Sequence, residues 1–337
     1  MSTLGSDVIT TADLRSSLKA NGQDATVYEI LEKNSPVVGQ GSWIEGSLPN
    51  GNETFYQATT ATATKRDYER GVPKSKTVEQ VTVDMAMQYA ANIEVDIAKL
   101  ETRPNVQQYL SRQEHRQIAA INEDFENSIW YGNPTTDVRD IKGIATRFGS
   151  FSDTYGDPGY QVWPAGGTTS DLTSLYLIGW GNGGVNLFYP LGSNSGVSRI
   201  VKPQERVTDS SGNVYYAYCV YNNWKVGLCV DDWRSSILRV ANISISDCES
   251  FGTKSDTAPD LVGIVMRAME RVKKNPSLHY CWYGTEAMIG HLKNQCVKTP
   301  NVNLNLQTLQ DGFQTVSLGG IPVYKSYQIS SAETAVS

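Results

Sequence analysis

Residues 43–60 read WIEGSLPNGNETFYQATT, and this stretch decides the architecture. Its centre contains the pair Asn50 and Gly51, which favours a tight type I′ turn because both residue types tolerate positive φ angles. The return from this turn is rich in β-branched and aromatic residues, which favour strands. The sequence therefore predicts one extended hairpin over residues 35–80, with its tip at Asn50 and Gly51.

This hairpin has no core of its own, because its composition is dominated by Gly, Thr, Asn and charged residues. An isolated two-stranded hairpin is only marginally stable in water. We therefore expect it to dock on a neighbouring copy of the chain. The predicted inter-subunit contacts are its aromatic anchors, its turn and two basic residues of the returning arm: Trp43, Asn50, Gly51, Phe55, Tyr56, Lys65 and Arg66.

Length and charge exclude several classes of protein. A chain of 337 residues exceeds the usual size of a single core, so about two domains are expected. The net charge is −6 with Lys and Arg scattered, which argues against a nucleic-acid-binding surface as the main activity. No apolar run approaches about 20 residues and the start does not resemble a signal peptide, so we expect a soluble protein made in a cytoplasm, without a membrane partner.

The next segments predict helices. Apolar residues recur every four positions from Val83 and predict a helix that ends at Pro104. These residues are Met85, Tyr89, Ile93 and Ile97. A second helix is predicted over about 105–130, and its single apolar stripe is typical of a spine laid across a sheet.

The rest of the chain mixes strands with helices. A buried strand is predicted at 175–178, and a meander at 205–208, 214–221 and 224–230, with Asn222 and Asn223 as its second turn. Two helices, 259–274 and 285–295, precede a final strand around 321–324. This order of elements indicates an α+β fold.

Motifs that could carry chemistry have simpler explanations. Residues 179–184, GWGNGG, match a dinucleotide-binding fingerprint, but a strand-like run ending at Pro190 follows where a helix is required, so a tight turn is predicted. The spacing of His279, Cys281, His291 and Cys296 fits no common zinc site. Five cysteines without a CxxC pair indicate reduced thiols. We expect no catalysis, no metal and no cofactor.

Several short motifs, in this order and spacing, resemble one known family. They are SIWYG (128–132), KGI (142–144), IGWG (178–181), YPLGS (189–193), GL (227–228), DWR (232–234) and RVANI (239–243). The chain resembles tailed-bacteriophage major capsid proteins of the Hong Kong 97-type fold, closest to the branch found in short-tailed phages. The resemblance extends from the N-terminal arm to the final strand.

The resemblance implies an architecture of four parts. They are an N-terminal arm (1–34), an extended loop (35–80), a peripheral domain with the spine helix (81–250) and an axial domain (251–337). It also implies a structural subunit that self-assembles, in pentamers and hexamers, into an icosahedral shell around double-stranded DNA in the virion. The DNA is enclosed without sequence-specific binding.

The resemblance further implies certain partners. The N-terminal arm is too short to serve as an internal scaffold, so a separate scaffolding protein is expected, together with a portal. A cementing protein is expected in place of covalent Lys–Asn links between subunits. Two alternatives remain open at this point: an encapsulin-like compartment that encloses a cargo enzyme, and a soluble nucleotide-binding enzyme that uses the glycine-rich loop at 179–184.

Overall fold

A computed structural model describes residues 35–59, 62–102, 105–193, 196–208, 211–249, 260–298, 304–308 and 314–337, so the predicted N-terminal arm lies outside the described residues. The helices are α1 (Pro36–Gln40), α2 (Ile97–Glu101), α3 (Val106–Tyr131), α4 (Ile144–Arg147), α5 (Trp233–Ser236), α6 (Ile245–Glu249), α7 (Leu261–Met269) and α8 (Glu286–Lys298). The strands are β1 (Trp43–Glu45), β2 (Gly51–Thr59), β3 (Val78–Met85), β4 (Met87–Asp96), β5 (Val162–Pro164), β6 (Leu172–Trp180), β7 (Val185–Tyr189), β8 (Ser198–Thr208), β9 (Val214–Val230), β10 (Ile237–Ser244), β11 (His279–Gly284), β12 (Leu304–Thr308), β13 (Gln314–Leu318) and β14 (Ile321–Lys325).

One mixed sheet forms the body of the described chain, and β6 is its centre. All nine residues of β6 are buried, and the strand pairs antiparallel with β10 and with β11. The sheet continues from β11 through β14 and β13 to β12, and in the other direction through β7 and β9 to β4. A strand covered on both faces reads as a continuous apolar run, which is why residues 175–178 were identifiable from the sequence.

Helices cover both faces of this sheet. On one face, Ile129 and Trp130 of α3 belong to the same buried cluster as Tyr176 of β6. On the other face, Leu175 of β6 packs in a cluster with Val265 of α7. Alternating β6 side chains therefore serve opposite layers. The predicted α+β class and the spine helix are confirmed, the helix as Val106–Tyr131.

The helix predicted from Val83 is wrong, because this segment forms strands β3 and β4. A spacing of four is also a multiple of two, so it fits a strand as well as a helix. On β4, Tyr89, Ile93 and Val95 are buried and the residues between them are mostly exposed. The pairing of β4 with β9 over ten residues fixes the extended conformation.

The turn predicted at Asn222 and Asn223 is also wrong. Both residues lie inside β9, a single strand of 17 residues. Asn222 is paired with Ala91 of β4 on one side and with Arg199 of β8 on the other. Pairing on both edges of β9 therefore overrides the local preference of Asn for turns.

The hairpin is formed by a different pair of strands from those predicted, and its tip lies elsewhere in the sequence. A tight turn does join Leu48 to Gly51, with 3.0 Å between Leu48 N and Gly51 O. However, β1 leaves this turn to pair parallel with β7, and β2 pairs antiparallel with β3. Of the described residues, 62–77 therefore form the far end of the arm, and the Asn50 turn lies at its base, where Ala86 N donates to Asn50 O at 3.0 Å.

The C-terminal segment, residues 326–337, is packed against the spine. The side chain of Glu333 is almost fully covered and accepts hydrogen bonds from the hydroxyls of Tyr131 (2.5 Å), Tyr176 (3.1 Å) and Ser174. Arg239 Nη2 pairs with the same carboxylate at 2.8 Å. These contacts tie the end of the chain to α3, β6 and β10.

Candidate assembly interface

The ribbon formed by β2 and β3 carries its large apolar side chains on the solvent side. Phe55 is 64 % exposed and lies opposite Val81, which is about half exposed like Val83 and Met85. We call these four residues the apolar face of the arm. Contiguous exposed apolar surface on a soluble subunit marks an interaction site.

Near the base of the arm, the opposite face of the ribbon is polar and buried. Asn52, Thr54 and Asp84 have almost no exposed surface. Asn52 Oδ1 accepts from Ser47 N at 3.1 Å, and Thr54 Oγ1 donates to a main-chain carbonyl of β3. The polarity of the ribbon is thus the reverse of that expected for an isolated surface hairpin, in which the apolar side faces the body.

An ion pair holds the root of the arm. Arg147 Nη2 of α4 lies 2.6 Å from Asp84 Oδ1 of β3, and both side chains are nearly buried. Arg147 Nε also donates to Lys142 O at 2.9 Å. The guanidinium therefore joins the arm to the loop that follows the spine helix.

Close packing of two glycines positions α4 beside the spine. A Cβ atom on Gly143 would lie 2.6 Å from Gly132 N, and one on Gly132 would lie 2.3 Å from Ile141 O. Gly143 N donates to Gly132 O at 2.8 Å. The SIWYG and KGI motifs thus contain glycine because two main-chain segments touch there.

The predicted contact residues lie in different parts of the arm. Phe55 lies on the apolar face, and Lys65 and Arg66 are exposed in the outer part of the arm. Asn50 is exposed in the turn at the base of the arm. Tyr56 lies on β2 opposite Gln80.

Two of the predicted contact residues take part in the packing of their own subunit. Trp43 packs inside its own subunit, with its ring 5.7 Å from that of Trp224 and 6.5 Å from that of Phe125, so it is an internal anchor. Its Nε1 donates to Val38 O at 3.4 Å. Gly51 is buried at the base of the ribbon, opposite Met85. Both residues contribute to the subunit itself, because β1 joins the main sheet.

Sequence reasoning missed three of the four residues of the apolar face. Val81, Val83 and Met85 alternate with polar residues at a period of two, which is the signal of a half-exposed strand. This alternation was missed because the segment from Val83 was predicted to be a helix.

The glycine-rich motif at 179–184 and the cysteine of the zinc-like set have structural roles. Gly181 and Gly183, both with positive φ, form the turn between β6 and β7, and Gly183 N donates to Asp231 Oδ2 at 3.3 Å. Cys281 lies in the core strand β11, where burial raises the pKa of its thiol to about 11. A thiol that stays protonated at neutral pH is a poor metal ligand and nucleophile. Within the described ranges, no cluster of three metal-ligating side chains occurs.

None of the described helices combines the length and the apolar character that a bilayer crossing requires.

Comparison with known proteins gives a family match over most of the chain. The sequence model of the family described as major capsid protein GP7 matches residues 19–337. A chain in the cryo-EM structure of bacteriophage epsilon15 is 20 % identical, with a TM-score of 0.67, 100 % of this chain covered and 99 % of that one. The capsid of bacteriophage JBD30 is 10 % identical, with a TM-score of 0.48 and coverage of 95 % and 99 %. No curated protein sequence matches the chain.

Proposed function

This chain belongs to the family of major capsid protein GP7, and on that premise we propose that its β2–β3 arm is a principal contact between neighbouring subunits of the shell. The protein is a bacteriophage major capsid protein with the Hong Kong 97-type fold. It is a structural subunit of the virion and not an enzyme. The same family membership favours a phage shell over an encapsulin-like compartment.

The observation that carries the proposal is the reversed polarity of the arm. Phe55, Val81, Val83 and Met85 face solvent in the single subunit, while polar residues of the same ribbon are buried. Complete burial of such a side chain contributes about 1.5–3 kcal/mol, and less where the residue is already half-covered. A neighbouring copy that covered this face would remove the exposed apolar surface.

Repetition strengthens such a contact. In a closed symmetric shell each subunit uses the same surface, and each engages several neighbours at once. Modest individual contacts therefore suffice for a stable assembly. The arm is suited to this role because residues 62–80 are exposed and its root is held by the pair of Arg147 and Asp84.

The proposal also covers the symmetry of the shell, its contents, its assembly partners and the division of the chain into domains. The shell is icosahedral, contains pentamers and hexamers and encloses double-stranded DNA without sequence-specific contacts. It is assembled in the host cytoplasm with a separate scaffolding protein, a portal and a cementing protein. Residues 81–250 form the peripheral domain and 251–337 the axial domain, except that 326–337 pack with the spine helix.

Substitution of the apolar face tests the proposal. The variant Phe55→Gln/Val81→Thr removes apolar surface at solvent-exposed positions, so the subunit should fold and melt cooperatively but yield no particles by electron microscopy. The matched control is Val138→Thr, which alters an exposed valine outside the arm and should leave assembly unchanged. Normal shells from the double variant would show that the arm is not a principal contact.

A further inference from the structure

Two buried side-chain oxygens near the root of the arm lack a hydrogen-bond donor. They are Asp84 Oδ2 and Asn186 Oδ1, and neither has a partner among the described residues. Asp84 is 5 % exposed and Asn186 is 1 % exposed. Burying a polar atom without a partner is unfavourable, so native proteins contain few such atoms and each one requires an explanation.

Strand register brings the side chains of Asn186 and Asp231 to one face of the sheet. Asn186 of β7 lies directly opposite Cys229 of β9, so the two side chains share a face. The ladder continues one step beyond β9, because Asp231 N donates to Gly184 O at 2.8 Å. Asp231 follows Cys229 by two residues and therefore lies on the same face.

The arm reaches this face from the other side. Ala86, two residues after Asp84, belongs to a small buried cluster with Cys229. Arg147 Nη2 contacts both Asp84 Oδ1, at 2.6 Å, and Leu228 O, at 3.4 Å. The carboxyl of Asp84 is therefore held beside the end of β9, close to Asp231.

The charges at this place do not balance. Burial raises the pKa of the Cys229 thiol to about 12, and the nearby negative charges of Asp231 and Asp84 raise it further than Arg147 lowers it. Arg147 pairs with Asp84, whereas Asp231 forms no ion pair with a described residue. Its Oδ2 accepts only a long hydrogen bond, 3.3 Å, from Gly183 N. Two carboxylates thus share one cationic side chain.

The chemistry of these groups favours a hard cation. Calcium binds about six to eight oxygen ligands, among them carboxylates, side-chain amide oxygens and water, in a flexible geometry. Magnesium requires a stricter octahedron, and zinc prefers nitrogen and thiolate ligands. The thiol of Cys229 stays protonated at neutral pH and is therefore not available to a softer metal.

We propose that Asp84, Asn186 and Asp231 bind a calcium ion that joins the root of the arm to the main sheet. Asp84 belongs to β3 of the arm, whereas Asn186 and Asp231 belong to the body, so the ion adds a second link beside Arg147. Asp231 is only partly buried, which leaves a route from solvent. The site lies within one subunit and does not depend on any contact between neighbours.

Calcium titration of the purified, unassembled full chain tests the site. Calorimetry with CaCl₂ should detect one ion per chain. At constant ionic strength, millimolar CaCl₂ should raise the melting temperature by about 2 °C or more relative to EGTA, because an ion that binds only the folded state stabilises it. No binding and no change in melting temperature would overturn the inference, and an equal rise with MgCl₂ would overturn the assignment to calcium.

Two variants locate the ion. Asn186→Leu replaces the amide by an apolar side chain of similar shape, and Asp231→Asn removes a charge and keeps the shape. Each should melt cooperatively in EGTA and bind calcium about tenfold more weakly or worse, because fewer oxygens and less negative charge remain. Asp153→Asn is the matched control, since that carboxylate is fully exposed, and it should bind like wild type. Wild-type affinity in both site variants would overturn the inference.

Hydrogen exchange shows whether the ion joins the arm to the body. Calcium should slow exchange in residues 81–86 and 183–188 of the wild-type chain and leave both segments unchanged in Asp231→Asn. Slower exchange confined to other segments would overturn the inference. These measurements use the unassembled chain, so their outcome is separate from that of the particle assay with Phe55→Gln/Val81→Thr.

Discussion

Arg147 Nη2 lies 2.6 Å from Asp84 Oδ1, so one buried ion pair ties the root of the arm to the body of the subunit. Asp84 Oδ2 has no hydrogen-bond partner among the described residues, so Arg147 is the main compensation for a buried negative charge. The arm is therefore fixed to the segment that follows the spine helix.

Replacing Arg147 with Met should destabilise the unassembled subunit by about 3–5 kcal/mol, because the buried carboxylate of Asp84 loses its cation. Denaturant unfolding measures this change. The double variant Asp84→Asn/Arg147→Met removes both charges and should recover much of the loss. A coupling energy near zero in this double-mutant cycle would contradict the role assigned to the pair.

Alanine at Gly143 should cost about 1–3 kcal/mol, because its Cβ would meet the main chain of Gly132 at 2.6 Å and main-chain atoms cannot rotate away. Gly290 on α8 is the matched control, since a Cβ there meets nothing within 4 Å. Gly290→Ala should stabilise the protein by about 0.5–1 kcal/mol through helix propensity. Equal effects at both positions in thermal melts would refute the close-packing explanation.

The buried carboxyl of Glu126 should make stability depend on pH. Burial raises its pKa in the folded protein, although Ser326 Oγ donates to Glu126 Oε1 at 2.6 Å. A raised folded-state pKa means that the contribution of this group is present at low pH and is lost as pH rises through that value. Glu126→Gln keeps the acceptor oxygen and removes the charge.

The unfolding free energy of Glu126→Gln, relative to wild type, should therefore increase as pH is raised from about 4 to 8. Urea titrations across this range give the difference directly. A difference that is constant with pH would show that Glu126 does not titrate differently in the folded state.

Truncation of Glu333 should loosen the C-terminal segment. Glu333→Ala leaves Arg239 buried without its anion and removes an acceptor for Tyr131 and Tyr176. Hydrogen exchange should accelerate at least tenfold in residues 326–337, while β4 and β9 keep their protection. Unchanged exchange in this segment would mean that apolar packing of Ile329 and Val336 holds it without the carboxylate.

Trypsin should cleave the free subunit first within residues 64–76, because the five basic residues there are exposed. In assembled shells the same sites should be protected at least tenfold. Cleavage at equal rates in both states would argue against burial of residues 64–76 at a subunit contact.

Sequence patterns predicted an element correctly where the spacing of apolar residues fits only one type of secondary structure. The 3/4 spacing of the spine extends over 26 residues and no strand can reproduce it, so α3 was predicted to within one residue at each end. The four-residue spacing from Met85 suits both a helix and a strand, and the ten-residue ladder with β9 decides between them. The partner strand β9 lies 121 to 139 residues further along the chain, from Asp96↔Ala217 to Met87↔Val226, so local sequence does not reveal this pairing.

The candidate site was predicted in outline, and its exposed apolar face depends on strand pairings that local sequence does not specify. Asn50 and Gly51 do mark a tight turn, but turn chemistry specifies a local bend and not which strands pair beyond it. Because β1 joins β7, Trp43 packs beside Trp224 of its own subunit. Pairing choices between distant segments thus determine which apolar residues remain exposed.

The continuity of β9 has a mechanical consequence for the shell. At about 3.3 Å per residue its 17 residues extend for roughly 56 Å as a single covalent chain. One end is hydrogen-bonded to β4 and β8, and the other to β7. Tension applied across the subunit is therefore borne by main-chain covalent bonds and by ladders loaded in shear, where many hydrogen bonds share the force. A bend in the middle of β9 would have created a compliant hinge in the wall.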